Sequence, residues 1–414
     1  MRASALVFLC FICADRGRRV RNTKTAVQST ACEELMNLHR PAEWKRLRSN
    51  GQVEENKKLK VLVLFLGALR PAAALQVAGA KHGSASMPKH LVVLQNGLYG
   101  SAINLVVLEQ KLRLIGGSDV LVHRATSNEG ARTRDGVAAG GRRLAEEVKL
   151  IAEKHPSLLK LSLVGNSLGG LYARYAATEL LNKTSGMMAG LIPDALVTTG
   201  SPHLGVRSYL FLPLPSLLLQ LGGLVAGQSA DDLLLQDDAR EPLLVRMCAE
   251  NSMHRAALRA FRRRRLYANL IGDFMVPFGT AAIENGCWGA GIDDALHAST
   301  FLNRPDASFR DALVCSGKRD GVAVIFDNKE LPDTAREESS TFEEKMWRGL
   351  SSVPWSKVAV AFHGTTTFPF AHNKLPALRR EGWRRGFEWI EQAQEGEGVM
   401  EHVAQYILSG QSDV

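Results

Sequence analysis

From Pro88 onward, short unbroken apolar runs alternate with longer stretches of helical spacing. His90–Leu94, Ser118–His123, Leu159–Val164, Ala195–Thr199, Leu266–Ile271 and Lys357–Phe362 predict strands. Between them, Val106–Leu114 suits a helix, and Leu171–Leu181 predicts another. Gly136–Lys154 places Val137, Leu144, Val148 and Ile151 on one helical face, with Asp135 as its N-cap. Strands that are apolar at successive positions are buried on both faces. With helices between them they predict an α/β class protein with a mostly parallel central sheet. No repeat of fixed period interrupts the pattern.

The first 87 residues follow a different rhythm. Ala3–Ala14 is a short apolar stretch followed by Arg16, Arg18, Arg19 and Arg21, the grammar of a signal or organelle presequence. A second apolar run, Val61–Leu69, ends at Arg70 and Pro71, short of the ~20 residues that span a bilayer. The expected organisation is a poorly ordered targeting or anchoring leader over 1–87 and one domain over 88–414. The leader leaves the compartment open between organelle and secretory path.

Composition changes this picture little. With 414 residues, 45% hydrophobic and 22% charged, the chain is neither disordered throughout, nor collagen, nor coiled coil. Charge is more telling. Of a net +9, residues 1–60 contribute +7, from 13 Lys or Arg against 6 Asp or Glu. The body is close to neutral, which argues against a nucleic-acid-binding face. Arg262–Arg265 is a local exception, read as a solvated helix end with anionic lipid contact as the alternative. Six scattered cysteines without paired CxxC spacing give neither a structural zinc site nor a disulfide framework.

The chemistry concentrates in LKLSLVGNSLGGLYARYAATELL, residues 159–181. Gly165-Asn166-Ser167-Leu168-Gly169 is a G-x-S-x-G between a strand and a helix, the context of a nucleophile elbow. Such a turn projects the Ser167 hydroxyl above the sheet, and side chains at Gly165 or Gly169 would crowd it. The Leu168 N–H then faces an oxyanion at a helix N-terminus. The alternative is a Gly/Ser turn without chemistry.

A serine needs a base and the base an orienting acid, in the chain order Ser, acid, His on this kind of sheet. Asp273 follows a predicted strand and is the leading acid. Glu284, Asp293 and Asp294 have no strand directly ahead. Both His363 and His372 follow the last predicted strand, and position alone does not separate them. His297 precedes that strand and His402 lies in the last helix. His203, in Ser201-Pro202-His203-Leu204-Gly205, precedes the acid and is read as structural. The loop after the first strand, Gln95–Gly100, is the candidate second oxyanion donor.

Taken together, the chain resembles the DUF676 family of serine esterases and lipases in the α/β-hydrolase superfamily. The resemblance covers about Lys89–Ser409 with gaps. It rests on HLVVLQNGLYGS (90–101), RDGVAAGGRRLAEEV (134–148), LSLVGNSLGGLYARYA (161–176), LVTTGSPHLGV (196–206), RLYANLIGDFMVPF (265–278) and PFAHNKL (369–375). It implies an α/β-hydrolase fold with helices on both faces of the sheet. It also implies Ser167 as nucleophile, Asp273 as acid and His372 as base, with the backbone of Leu168 and Leu98 as oxyanion hole. Neither a metal nor an organic cofactor is implied. Many hydrolases carry His-Gly at the early loop, where this chain has Asn96-Gly97. Residues 288–354 match poorly and read as a variable, charge-rich insertion with a solvated face.

The segment 207–228 holds YLFLPLPSLLLQLGGLVA (209–226), strongly apolar and broken by two prolines. It reads equally as a lid over the site or as a core helix pair. A lid implies a lipid or long-chain ester substrate and contact with a membrane surface. The expected function is carboxylic ester hydrolysis through an acyl-enzyme. The alternatives are a catalytically silent scaffold on the same fold and acyl transfer to an acceptor other than water. Oligomeric state is left open.

Overall fold

A computed structural model describes residues 87–208, 227–270, 272–273, 275–284, 312–316, 322–328, 341–363, 371–379 and 395–409. The chain divides into two units, Met1–Ser84 and Ala85–Val414, and every element below belongs to the second. The leader up to residue 86 and the lid-like stretch 209–226 lie outside the described residues.

The strands are β1 (His90–Gln95), β2 (Val120–Arg124), β3 (Lys160–Asn166), β4 (Ile192–Thr199), β5 (Arg263–Asn269), β6 (Ala312–Ser316), β7 (Val322–Asn328) and β8 (Ser356–His363). They form one sheet in the order β2-β1-β3-β4-β5-β8-β7-β6. From β2 to β8 neighbours are parallel; β8-β7 and β7-β6 are antiparallel. This is the mostly parallel sheet expected from the apolar runs. The chain steps from β1 out to β2 and returns across β1 to β3. The connections leaving β1 and β3 therefore lead to helices on opposite faces, and it is at the carboxyl ends of such strands that ligands bind in sheets of this kind.

The longer helices are α1 (Val106–Gly116), α2 (Val137–Lys154), α3 (Leu168–Leu180), α4 (Met253–Ala260), α5 (Phe342–Ser351) and α6 (Glu397–Leu408). One sheet face is covered by α2, α3, α4 and α5, with Leu91, Leu144, Leu163, Leu171, Tyr172, Leu258 and Met346 in its core. The other is covered by α1 and α6, through Leu108, Leu112, Met400, Val403 and Ile407 against Val92, Val164 and Val197. Helices α2 and α3 approach closely at small residues. A Cβ on Gly140 would stand 2.3 Å from the Tyr172 ring, and one on Gly141 2.5 Å from Tyr175 Cβ. Among the described residues no helix is long and apolar enough to cross a membrane.

Three local expectations change. Asp135 does not cap α2; the N-cap is Gly136 at φ 95°. The carboxylate of Asp232, far along the chain, accepts the Val137 N–H at 2.6 Å, and Ser229 Oγ accepts that of Gly136 at 3.0 Å. Burial, only partly offset by hydrogen bonds from the Gln228 amide and the Val137 N–H, raises the Asp232 pKa above the ordinary carboxylate value.

The arginine run is no helix end. Arg263 opens β5, donates to Asp194 at 2.6 Å and to the carbonyl of Ile407 at 3.0 Å. Arg265 stacks 3.9 Å from the Tyr406 ring centroid and bonds Ser356 Oγ. These guanidinium groups tie the sheet to the end of α6, while Arg262, ahead of the strand, is exposed. Third, part of 288–354 is integral to the fold. It supplies β6 and β7 to the sheet, and α5 buries Met346, Trp347 and Leu350 in the core.

Candidate active site

The β3–α3 turn holds Ser167 at φ 55°, ψ −131°, a conformation costly for any side chain other than glycine's absent one. The surroundings enforce it. A Cβ on Gly165 would lie 2.4 Å from Gly170 Cα, and one on Gly169 2.4 Å from the Gln95 carbonyl oxygen. A Cβ on Gly170 would meet Ser201 Oγ at 2.0 Å. So Gly165 and Gly169 are required by backbone approach, and Gly170, outside the pentapeptide, by the side chains of Ser201 and Thr198. The Ser167 N–H donates to the Thr199 carbonyl at 2.8 Å, tying the elbow to the end of β4.

Asp273 and His372 come together from loops after β5 and β8. His372 Nδ1 lies 2.9 Å from Asp273 Oδ2, across 99 residues of chain. Both are buried, at 2% and 5% exposure. The carboxylate is held by further donors: Asn269 Nδ2 at 2.8 Å, and the N–H groups of Met275 and Val276 at 3.2 and 2.9 Å. Asp273 is thus oriented before any substrate arrives. With Nδ1 turned to the carboxylate, the Nε2 of His372 is the nitrogen left for a reacting group. The imidazole lies over Gly200, where a Cβ would be 3.3 Å from its Cε1. Gly200 directly follows Thr199, the residue that binds the Ser167 N–H.

The other candidates are elsewhere. His203 is fully buried, with Nε2 2.9 Å from Thr198 Oγ1 and Nδ1 3.3 Å from an Arg174 guanidinium nitrogen. Burial, with Arg174 and Lys357 nearby, pushes its pKa well below the usual histidine range. Facing a guanidinium, Nδ1 can only accept, so His203 is a neutral tautomer in a structural network. His402 bonds Tyr267 Oη at 2.9 Å. Glu284 pairs with Lys357 at 2.8 Å. His363 ends β8, and its side chain, like all of Asp293, Asp294 and His297, lies outside what is described.

The loop after β1 runs directly against the elbow. A Cβ on Gly97 would stand 2.6 Å from Ser167 Cβ and 3.1 Å from its Oγ. Asn96 does not point to chemistry: its Nδ2 donates to the carbonyls of Asn128 and Gly97 at 3.0 and 3.2 Å. It stiffens the loop from beneath, together with Gln95 and Asn128. Tyr99 adopts φ 54°, and its N–H is taken by Thr133 Oγ1 at 2.8 Å. The Gly100 N–H returns to the Gly97 carbonyl at 3.0 Å. Among the described residues, the N–H groups of Leu98 and Leu168 have no hydrogen-bond acceptor. Two donors beside a strained serine is the arrangement an oxyanion requires. No cluster of His, Cys, Asp or Glu among the described residues could hold a metal ion.

The family described as "Putative serine esterase (DUF676)" matches residues 85–287. A "Putative lipase C4A8.10" of Schizosaccharomyces pombe is 32% identical over 312 residues, 71% of this chain and 38% of its own length. "Putative lipase ROG1" of Saccharomyces cerevisiae is 32% identical over 206 residues, 47% of this chain and 28% of its own. The chain thus spans about a third of the length of the curated relatives it matches. The solved structure of Bacillus licheniformis lipase BlEst2 is similar at 17% identity and a TM-score of 0.31, over 48% of this chain and 72% of that one.

Proposed function

We propose that this chain, whose residues 85–287 match the family described as "Putative serine esterase (DUF676)", is a serine hydrolase of carboxylic esters. Ser167 Oγ attacks the ester carbonyl and gives its proton to His372 Nε2. Asp273 holds the imidazole and stabilises its charged form. The N–H groups of Leu168 and Leu98 receive the oxyanion. The alcohol leaves with the proton from His372, and water, deprotonated by the same imidazole, then releases the acid and frees Ser167. The mechanism needs no metal and no organic cofactor.

The observation that carries this reading is the buried Asp273–His372 hydrogen bond, formed between two loops that converge on the strand end supporting Ser167. The substrate class we propose is a lipid or other long-chain acyl ester, met at a membrane surface. It is supported by the relatives named as lipases and by the apolar composition of 209–226.

The test is labelling of the full chain with a fluorophosphonate probe. Wild type is expected to label, and Ser167→Ala and His372→Ala are not. Failure of the folded wild type to label would transfer the protein to the scaffold reading. Labelling that survives His372→Ala would name His363 as base. A chain-length series of esters then reads the acyl preference. Products carrying the acyl group on an added alcohol would mark a transferase.

A further inference from the structure

The two halves of this site come from loops distant in sequence, and one buried amide joins them. Asn104 is 3% exposed and lies seven residues beyond Gly97, which abuts Ser167. Its Oδ1 accepts the Ser101 N–H at 2.8 Å, inside the loop after β1. Its Nδ2 donates to the Arg379 carbonyl at 2.6 Å, seven residues beyond His372. The Arg379 N–H returns to the Asn104 carbonyl at 3.4 Å. Gly100 leaves the room this needs, since a Cβ there would stand 2.6 Å from Asn104 Oδ1.

We propose that Asn104 is a positioning residue that locks the oxyanion-side loop to the segment bearing His372, setting the distance between the base and the oxyanion donors. This rests on the esterase reading above. An asparagine suits the task because it is the shortest side chain with a donor on one arm and an acceptor on the other. Both arms are used, and each goes to a different wall of the site. Besides the His372–Asp273 hydrogen bond and the burial of Leu375 and Ala377, the segment 371–379 is held by two ion pairs. Lys374 pairs with Glu395 at 2.6 Å and Arg379 with Glu397 at 3.1 Å, both on the α6 side. These fix the segment to the back of the molecule. Among the described residues, Asn104 is the side chain that hydrogen-bonds both it and the loop facing Ser167.

The experiment uses the full chain and an activated ester, with kcat and KM measured in the wild-type and His372→Ala backgrounds. Asn104→Asp keeps the acceptor for Ser101 and loses the donor to Arg379; Asn104→Ala loses both. Asn104→Asp is expected to lower kcat by about 10²-fold with KM nearly unchanged, the loss that a ~1 Å misplacement of a reacting group produces. In the His372→Ala background that loss should disappear, because there is no base left to misplace. Wild-type kcat in both Asn104 variants would overturn the proposal. So would an equal loss in both backgrounds, or a loss that follows a lowered melting temperature and recovers on cooling. If Asn104→Asp does not fold, Asn104→Ala carries the same comparison. A wild type that neither turns over nor labels would overturn the esterase reading and take this inference with it.

Discussion

The two ends of the central sheet treat polar groups in opposite ways. At the carboxyl ends, backbone is strained and donors are left open. Ser167 and Tyr99 sit at φ 55° and 54°, and the Leu98 and Leu168 N–H groups have no described acceptor. At the amino ends, buried polar side chains pair with one another, although His90 Nδ1 and Asp194 Oδ1 have no hydrogen-bond partner among the described residues. His90 meets Ser162 Oγ at 2.8 Å, and Asp194 meets Arg263 at 2.6 Å. Arg263 also reaches two carbonyls at the end of α6. The first end leaves backbone donors without an acceptor among the described residues; the second is braced by ion pairs and hydrogen bonds formed within the chain. One fold can do both because strain at one end is offset by bracing at the other.

Four changes would break or sharpen this contrast. Asp273→Asn keeps the shape and an acceptor for the Met275 and Val276 N–H groups, but removes the charge facing His372. Ester turnover should fall by about 10⁴-fold, with the thermal midpoint almost unmoved. A large drop in the midpoint would make Asp273 a brace like those at the other end.

Arg263→Ala should do the reverse. It strands the buried Asp194 carboxylate, at a cost of about 3–5 kcal/mol by urea titration. Per folded molecule, turnover should be unchanged.

Third, the amino end should report pH. Burial, opposed by Asp194 and reinforced by Lys160 and Arg263, lowers the His90 pKa to about 4. The unfolded chain takes up this proton near pH 6.5 and the folded chain only near 4. Stability from this group is therefore present above 6.5, falls as pH drops, and levels off below 4, by roughly 3 kcal/mol. His203 and His254 have lowered pKa values for the same leading reason, so His90→Gln should reduce the slope between pH 6.5 and 4 without abolishing it. An unchanged slope in that variant would count against a neutral, buried His90.

The smallest effect is Gly97→Ala. The added Cβ meets Ser167 Cβ at 2.6 Å, so the loop must retreat. Turnover should fall by about 10²-fold with little loss of stability. Wild-type turnover would mean that this loop takes no part in the chemistry.

The apolar strands were legible because both their faces are buried, so a run such as His90–Leu94 has one reading. The elbow was legible because its chemistry is local: a strand, a strained serine and glycines within a few residues. What lay beyond reach was every feature whose partner is distant. Arg263–Arg265 looks solvated until Asp194, Tyr406 and Ser356 are placed around it. The cap of α2 comes from Asp232, and its nearer neighbour Asp135 binds Arg143 instead. Strands β6 and β7 pair as a hairpin that the charge-rich composition of 288–354 conceals. Asn104 shows in the sequence only as the local Ser101 capping box; its bond to Arg379, 275 residues away, leaves no signal. The choice of His372 over His363 came from a family resemblance, because two histidines after one strand look alike to spacing.

Helix α6 closes the second face of the sheet against α1, although nearly 300 residues separate them. On a ribosome adding roughly 5–20 residues each second, α1 therefore emerges with its apolar stripe uncovered and waits some tens of seconds for its cover. During that interval the elbow already exists, but the histidine and the helix that backs it do not. A nascent chain halted before residue 371 would carry a strained serine without the histidine proposed to activate it, together with an open apolar face, the kind of surface that folding helpers and proteases recognise. The proposed base and the cover of that apolar face thus both come from residues beyond 370, long after α1 and the elbow.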